Sequence, residues 1–397
     1  MIELRVGVVH QVVGRDGDRV DLVVRIDGQG AAPSDEPGFY PAYALTQLGY
    51  GGWYPGQRVL VNTSAVSLSL GSGGYHVVVA PLDPPRPPGD WRTPALRRRL
   101  HGHIVKLRYT PLQTVVRAAE EPGSPYHRAL RRVTRIDGLP VAVLALHGML
   151  TPLVAALRWV WGEERRPRVA YVMTDATSLA AASIRTLGQV RRARLIDLLI
   201  TAGQALGGDL EAVHPASALA MARLAGCDVA LVGPGPGTVG TATPLGTTAL
   251  EQAYLADLVT ALGGTAVVPL RISQADARMR HRGVSHHDRI ALGQLAGRPA
   301  TVVMPARLPR ALRRLVVGQL AAAGILRRHR VVQADPLPAR PALERLPFVP
   351  RTMGRDPAAD PAFFDGCLAA GMVLARLSAA RGDDSGAVQA GRMGWRE

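Results

Sequence analysis

The residues best suited to chemistry lie in one polar run between positions 271 and 288. Its four arginines offer forked donors for phosphates and carboxylates, whereas its histidines and aspartates are suited to a divalent metal. The number of arginines favours an anion clamp, and without an HExxH or HxH spacing we assign no metal ligands. The candidate ligand-binding residues here are Arg271, Ser273, Asp276, Arg278, His281 and Ser285, and the candidate catalytic residues are His286 and His287.

A loop rich in glycine and threonine spans residues 233–246, and we call it the glycine-threonine loop. Its backbone N–H groups and hydroxyls are suited to hold an anion near the start of the next helix. It contains GxGxxG at 235–240, but that helix cannot start before Pro244, and Arg271 stands where dinucleotide-binding folds have an acidic residue. The alternative is a turn that needs glycine for positive φ. The candidate ligand-binding residues are Gly233, Gly235, Gly237, Thr238, Gly240 and Thr241.

The elements that must position these residues alternate between strand-like and helical patterns from residue 139 onward. Strand-like runs occur at 141–146, 169–173, 195–200, 228–232, 265–270 and 301–304, with helical segments between them. Such alternation predicts an α/β fold with a doubly wound, mostly parallel sheet. We further expect an edge strand at 330–333 and a closing helix at 361–377.

Polar residues follow the predicted strands at the edge where ligands bind in open α/β sheets. His147 follows the first strand and Asp175 the second, and both are candidate catalytic residues. Lys106, the only lysine, and Arg108 share one face of an extended segment that enters the domain. The candidate ligand-binding residues of this group are Gln204, Asp209, Glu211, Lys106 and Arg108. We expect one shared pocket, with Asp175, the glycine-threonine loop and the histidine pair as its nearest members.

The chain divides into four predicted parts. Residues 1–80, with short strands at 2–9, 19–26, 58–62 and 75–80, predict a small all-β module of barrel-like shape. Residues 81–100 are rich in proline and arginine and predict a linker. We expect residues 101–378 to form the α/β domain, with a helix at 112–120 near its start, and residues 379–397 to form a flexible C-terminal tail.

The composition limits the partners that we expect. The net charge of +16 comes from arginines scattered along the chain, and aromatic residues make up only 5%, which disfavours nucleic-acid binding. Two cysteines are too few for a disulfide framework. The longest apolar stretch, 139–161, is interrupted by His147, Pro152 and Arg158, and the chain opens without a signal-peptide pattern. We therefore expect no membrane span and a cytoplasmic location.

Four long stretches, at 101–113, 203–219, 232–246 and 271–287, resemble the signature segments of a bacterial family known as domain of unknown function 3866. The resemblance extends from the β module, where residues 56–76 carry it, to about Leu292. It implies a single-family bacterial protein and supports the domain outline. It implies no reaction and no catalytic residues, so the function must be argued from the residues themselves.

The function that these observations favour is binding of a small anionic molecule, phosphorylated or carboxylated, such as a nucleotide. The ligand would lie at the carboxyl edge of the parallel sheet, and the chain would bind it or also transform it. One alternative is a non-enzymatic regulatory or scaffolding protein. Another is a metal-dependent hydrolase that uses histidine and aspartate ligands. The sequence leaves the cofactor, the reaction and the oligomeric state open.

Overall fold

The computed structural model describes residues 2–26, 38–46, 52–69, 73–84, 102–162 and 166–384. In this part of the chain, a small β-barrel precedes a large sheet that is covered by helices on both faces. This architecture confirms the predicted α/β fold with an N-terminal all-β module. Most of the predicted linker, and the tail beyond Asp384, lie outside the described residues.

The N-terminal barrel closes in the order β1-β2-β3-β5-β4. Its strands are β1 (Leu4–Asp16), β2 (Arg19–Ile26), β3 (Gly38–Leu45), β4 (Arg58–Asn62) and β5 (His76–Pro81), with a short helix α1 (Ser64–Ser67) before β5. Alternate residues such as Val20, Leu22 and Val24 point inward and build a small core, as a period of two requires. The sequence predicted four of these strands and missed β3, whose Pro41 is unusual in a strand.

A two-stranded hairpin precedes the main sheet in the chain. It pairs β6 (Ile104–Lys106) with β7 (Thr114–Val116) in antiparallel register. The predicted helix at 112–120 is therefore wrong, because the β-branched run of Thr114, Val115 and Val116 favours a strand. A single helical turn, α2 (His127–Leu130), follows before the main sheet.

The main sheet contains eight strands, and every pairing between them is parallel. The strands are β8 (Pro140–Val143), β9 (Val169–Thr174), β10 (Leu198–Ala202), β11 (Leu210–Ala212), β12 (Val229–Pro234), β13 (Thr265–Pro269), β16 (Thr301–Pro305) and β17 (Arg330–Ala334). Between β13 and β16 lies a small ribbon of β14 (Ile272–Ser273) and β15 (Gly283–Val284). The central strands are buried on both faces, which explains their nearly continuous apolar sequences.

Helices cover both faces of this sheet. They are α3 (Leu150–Trp161), α4 (Arg185–Arg192), α5 (Pro215–Leu224), α6 (Glu251–Ala261), α7 (His286–Ile290) with a π turn (Ala291–Leu295), α8 (Arg310–Ala322), α9 (Ile325–Arg328), α10 (Pro341–Glu344) and α11 (Pro361–Asp384). The buried side of α5, α6 and α8 joins one core cluster, and that of α3, α4 and α11 joins the other. The sheet is thus doubly wound.

The strand order β11-β10-β9-β12-β8-β13-β16-β17 creates switch points around β12. The chain leaves β8 and β9 toward helices on one face, and it leaves β12 and β13 toward helices on the other. In folds of this class, ligands bind at the carboxyl ends of the strands where neighbouring loops diverge. The switch points therefore lie where the glycine-threonine loop leaves β12.

The closing helix α11 starts at Pro361, as predicted, and continues through Asp384. Its segment Pro361–Ala380 is long and apolar enough to cross a membrane by length and composition. However, 78% of its most apolar stretch is buried inside the protein, where Phe363, Phe364 and Cys367 pack in the core against the sheet. The segment is thus the core helix of one face.

Candidate metal centre

Three histidines from the predicted polar run converge at the start of α7. His281 ends a short helical turn, and His286 and His287 open α7 after the ribbon strand β15. One potential ligand atom of each histidine lies within 4.8 Å of the other two. The ring centroids of His286 and His287 are 4.2 Å apart, and each lies 5.0 Å from that of His281. We call these three residues the histidine cluster.

Ser285 fixes the geometry of the histidine cluster. Its buried hydroxyl accepts a hydrogen bond from the backbone N–H of His287 at 3.3 Å and thereby caps α7. The same oxygen lies 2.9 Å from Nδ1 of His281. When Nδ1 of His281 donates to this oxygen, its Nε2 carries a free lone pair, which is the tautomer that a metal requires. Ser285 thus serves as a helix cap and also orients one histidine.

Two nitrogen atoms of the cluster are buried and have no hydrogen-bond partner among the described residues. They are Nε2 of His286 and Nδ1 of His287. A buried polar atom without a partner costs free energy, and such atoms are rare in folded proteins. A metal ion that accepted these lone pairs would remove that cost.

The histidines of the cluster are held in the neutral state. Burial lowers the pKa of His281 and of His287 to about 3, and the nearby positive charge of Arg271 adds to the effect. Burial also lowers the pKa of His286, with a contribution from Arg280. Neutral imidazole, which has a lone pair on one ring nitrogen, is the form that binds metals, so the lowered pKa values favour metal binding.

The arginines expected to clamp an anion are largely engaged with Asp276. Arg278 forms a forked pair with its carboxylate at 2.9 Å, and Arg355 and Arg271 lie 3.3 and 3.5 Å from the same carboxylate. The charge of Arg278 holds the pKa of Asp276 well below its usual range. Since Asp276 is buried, this network joins the ribbon to the segment before α11. Arg355 was not expected from the sequence.

Ser273 and Asp288 complete the support of the run. The hydroxyl of Ser273 donates to Asp360 at 2.7 Å and accepts from the backbone N–H of Asp276. Asp288 is fully buried and accepts from the backbone N–H of Arg271 at 2.6 Å. Burial raises the pKa of Asp288 to about 7. These bonds tie both ends of the run together and set the position of α7.

The glycine-threonine loop lies beside the histidine cluster. A Cβ atom added to Gly240 would lie 3.8 Å from Cε1 and Nε2 of His287. The loop bonds mainly to itself, through Thr241 with Gly246 and Thr248 with Val239. Several of its N–H groups and hydroxyls are used in this way, which agrees with the turn interpretation. Gly237 has φ +100°, a backbone conformation that favours glycine.

The loop after β9 meets the glycine-threonine loop. The hydroxyl of Thr177 donates to the carbonyl of Gly235 at 2.7 Å, and the N–H of Ser178 donates to that of Pro236 at 3.1 Å. Asp175, in the same loop, accepts from the backbone N–H of Gln204 at 2.7 Å. The glycine-threonine loop therefore bonds to the loop that holds Asp175, and its Gly240 lies near His287.

Glu251 is a candidate residue that the sequence reasoning missed. It is the first residue of α6, and a short helical turn, Thr248–Leu250, separates it from the glycine-threonine loop. The hydroxyl of Thr174 donates to its carboxylate at 2.7 Å. Burial raises the pKa of Glu251 to about 7, and the negative charge of Asp175 adds to this. An acidic residue in a first helical turn is common for reasons of the helix dipole, so its sequence position carried no distinctive signal.

His147 lies near Tyr171, whose hydroxyl donates to the carbonyl of Pro234 at 2.9 Å. Its Nε2 lies 2.8 Å from the hydroxyl of Thr186 in α4, and its ring centroid is 6.3 Å from that of Tyr171. Burial lowers the pKa of His147 to about 4. These contacts place His147 beneath α4, on the face that α3 and α11 cover.

Lys106 and Glu211 form a buried ion pair, not the rim of a pocket. The Nζ of Lys106 donates to Glu211 at 2.8 Å and to the carbonyls of Thr201 and Ala205 at 3.0 and 2.5 Å. All three of its protons are thus engaged inside the protein, since both charged side chains are almost fully buried. The pair anchors the hairpin of β6 and β7 to the main sheet.

Asp209 and Arg108 also differ from their expected roles. The strand β11 follows Asp209, and Asp209 accepts from the N–H of Leu199 at 2.9 Å and pairs with Arg191 in α4. It therefore lies near the beginning of β10 and away from the carboxyl edge. Arg108 is exposed, and its backbone N–H donates to the side chain of Gln204 at 3.4 Å.

These features define an α/β protein with an N-terminal barrel and a histidine cluster at the carboxyl edge of an all-parallel sheet. The family model described as protein of unknown function (DUF3866) matches residues 42–371, and the chain belongs to this family. The match confirms the family resemblance and extends beyond it at both ends. No curated protein matches the chain.

Proposed function

We propose that the protein binds a divalent transition metal through His281, His286 and His287, and that it uses the metal to act on a small molecule. The observation that carries this proposal is the set of three potential ligand atoms within 4.8 Å of one another. Three histidines form a known catalytic zinc set, which leaves a fourth position for water or substrate. Such a site polarises a bound oxygen or activates water near neutral pH.

The contacts of the arginines support a metal centre over the anion clamp favoured by the sequence. Arg271 and Arg278 are paired with Asp276, so much of their charge is already balanced. The histidines, by contrast, present buried nitrogens without partners. The position of the cluster beside the loop that leaves β12 agrees with the usual location of sites in this fold class.

We assign the proton-transfer role in this proposal to Glu251. A general base works best when its pKa lies near the working pH, and burial raises the pKa of Glu251 to about 7. Glu251 lies shortly after the glycine-threonine loop, and Gly240 of that loop lies near the ring of His287. The hydroxyl of Thr174 holds its carboxylate in place.

We expect the protein to act in the cytoplasm. Cys227 and Cys367 are both buried free thiols. Burial raises the pKa of Cys227 to about 12, so its thiol stays protonated and unreactive. Free thiols of this kind fit a reducing compartment.

A metal titration tests the proposal. We expect the full chain, stripped with a chelator, to bind about one equivalent of Co²⁺ and to show the visible absorption of a tetrahedral site. The variants His286→Ala and His287→Ala should each weaken Co²⁺ binding by more than about 100-fold, which exceeds the usual effect of losing an outer-shell partner.

The matched control is His103→Ala, because the side chain of His103 is 95% exposed and the residue lies directly before β6, outside the histidine cluster. It should bind Co²⁺ as the unaltered chain does. Equal Co²⁺ affinity in the unaltered chain and in both cluster variants would contradict the proposal. Circular dichroism and thermal unfolding of each variant would establish that the fold is kept.

A further inference from the structure

We propose that a cleft at the amino edge of the main sheet, where its strands begin, binds a small molecule that carries a phosphoryl group. The cleft has a volume of about 710 Å³, which is in the range of small-molecule sites. Its charged and aromatic lining residues are Arg158, Arg166, Arg194, Arg345 and Trp159, and we call it the arginine cleft. None of these residues was expected at a site from the sequence.

The arginine cleft lies at the opposite edge of the sheet from the histidine cluster. Because the strands are parallel, each connecting helix returns the chain from the carboxyl edge to the amino edge. Helix α3 therefore ends at Trp161 before β9 begins, and α4 ends at Arg192 before β10 begins. Gly162 and Ala193, which follow these two helices, both line the cleft. A ligand there would bind independently of the proposed metal centre.

The positive charge around the arginine cleft exceeds the negative charge. Asp197 lies 2.5 Å from Arg158 and 3.7 Å from Arg166, so one carboxylate serves both arginines. None of the described residues that line the cleft is acidic. In the part of the chain that the structure describes, no carboxylate lies within ion-pair distance of Arg194 or Arg345. One negative charge thus faces four arginines, and about three positive charges remain.

The ends of α3 and α4 offset part of this charge. A helix C-terminus carries about half a negative charge, which favours arginine near it. Two such ends offset about one of the remaining charges, so about two are left. This balance covers the described residues, and residues 163–165, which contain two glutamates, lie outside them. An anion with about two charges would complete the balance.

Arg345 is arranged to bind such an anion. Its guanidinium lies over the ring of Trp159, 4.6 Å from the ring centroid, in a cation–π contact. Trp159 is itself held in place, because it packs against a core cluster that includes Ala156 and Leu368. An aromatic ring covers the flat face of a guanidinium and leaves the N–H donors in its plane available to oxygen atoms. The indole thus orders Arg345 in advance, which lowers the entropic cost of binding.

Arg194 occupies a backbone position that favours glycine. It is the second residue after α4 and has φ +53°, in the left-handed region. Helices commonly end with glycine in this conformation, because glycine adopts it without strain. Strained residues of this kind cluster at functional sites. The sequence therefore places an exposed positive charge at the cleft at a cost to the backbone.

The charge that remains favours a phosphoryl group over a carboxylate. A phosphate monoester carries about −1.5 to −2 charge near pH 7, which matches about two positive charges, whereas a carboxylate carries one. Its three oxygens can accept bonds from more than one arginine, and such bonds are short and strong. The volume of the cleft leaves room for the rest of a phosphorylated small molecule.

Calorimetric titration of the full chain with inorganic phosphate tests the proposal, with a chelator present to keep the histidine cluster free of metal. We expect phosphate to bind the unaltered chain. Arg194→Gly and Arg345→Gln should each weaken this binding by about 10-fold or more, because each removes a charge-assisted bond. Arg194→Gly should also unfold at an equal or higher temperature, because glycine relieves the backbone strain. This separates loss of binding from loss of the fold.

The control is Arg314→Gln, which removes a positive charge from an exposed position on α8 and should leave phosphate binding unchanged. The proposal would be overturned by an unaltered chain that does not bind phosphate, or by cleft variants that bind it as the control does. Acetate binding as tight as phosphate binding would contradict the phosphoryl class. Binding of a short single-stranded DNA that depends on both arginines would contradict the small-molecule class.

Discussion

At the scale of single residues, Glu251 shows how the site balances burial against charge. Its carboxyl accepts a hydrogen bond from Thr174 and is partly buried, and this burial raises its pKa from 4.5 to about 7. The folded protein therefore holds the proton more tightly than the unfolded chain does. It follows that the free energy of unfolding decreases as the pH rises from about 4.5 to about 7.

The variant Glu251→Gln should remove this pH dependence. We compare the free energy of unfolding of the variant with that of the unaltered chain. This difference should favour the variant by about 2 kcal/mol more at pH 8 than at pH 5, because glutamine cannot ionise. Urea unfolding at the two pH values, with a chelator present, measures the difference. Glu344→Gln, at an exposed position, is the control and should change little. A difference that is the same at both pH values would contradict the raised pKa.

Lys106 and Asp209 show what the sequence could predict at this scale. As the only lysine among 47 basic residues, Lys106 was expected to have a particular role, and it has one, in a buried ion pair. The sequence could not show whether Lys106 would contact a ligand or pair with an acidic residue, because that depends on the loop that brings Glu211 beneath it. Asp209 was misplaced because three residues of strand β11 are too short to show a period in the sequence.

At the scale of elements, the start of α7 positions the histidine cluster. Ser285 caps the helix and contacts Nδ1 of His281, so one hydroxyl sets both the helix start and the orientation of a ligand. A serine directly before a helical run is typical of such a cap. The sequence did not predict that β15 and a helical turn would bring His281 back onto His286 and His287.

Ser285→Ala should therefore separate stability from metal binding. We expect a loss of about 1 kcal/mol in the free energy of unfolding, as for other N-caps, and a 10- to 100-fold loss in Co²⁺ affinity, as for other outer-shell partners. Ser285→Thr, which keeps the hydroxyl, should restore most of the affinity. Loss of stability without any change in Co²⁺ affinity would show that Ser285 is only a cap.

The strands and helices of the main sheet were largely predictable, whereas their order was not. Apolar runs and helical periods gave β8, β9, β10, β12, β13 and β16, since parallel strands buried on both faces leave a strong signal. The insertion of β12 between β9 and β8 depends on contacts far apart in sequence. The pairing of Asp276 with Arg355 was hidden for the same reason.

At the scale of the whole molecule, charged contacts join the barrel to the α/β part. Arg19 of the barrel donates to the carbonyl of Ser183 at 3.0 Å, and Arg185 pairs with Asp21 at 3.1 Å. Arg192 also pairs with Asp16. Part of the arginine content of the chain is thus used for internal contacts.

The central claim is that three histidines of one run form a metal centre. X-ray absorption at the zinc edge of the zinc-loaded full chain tests it most directly. We predict a shell that contains three imidazole nitrogens at about 2.0–2.1 Å, with a light atom in the fourth position, and loss of the imidazole signal in a variant with His281, His286 and His287 all changed to alanine. A zinc ion surrounded by water oxygens, or one with the same imidazole shell in that variant, would contradict the claim.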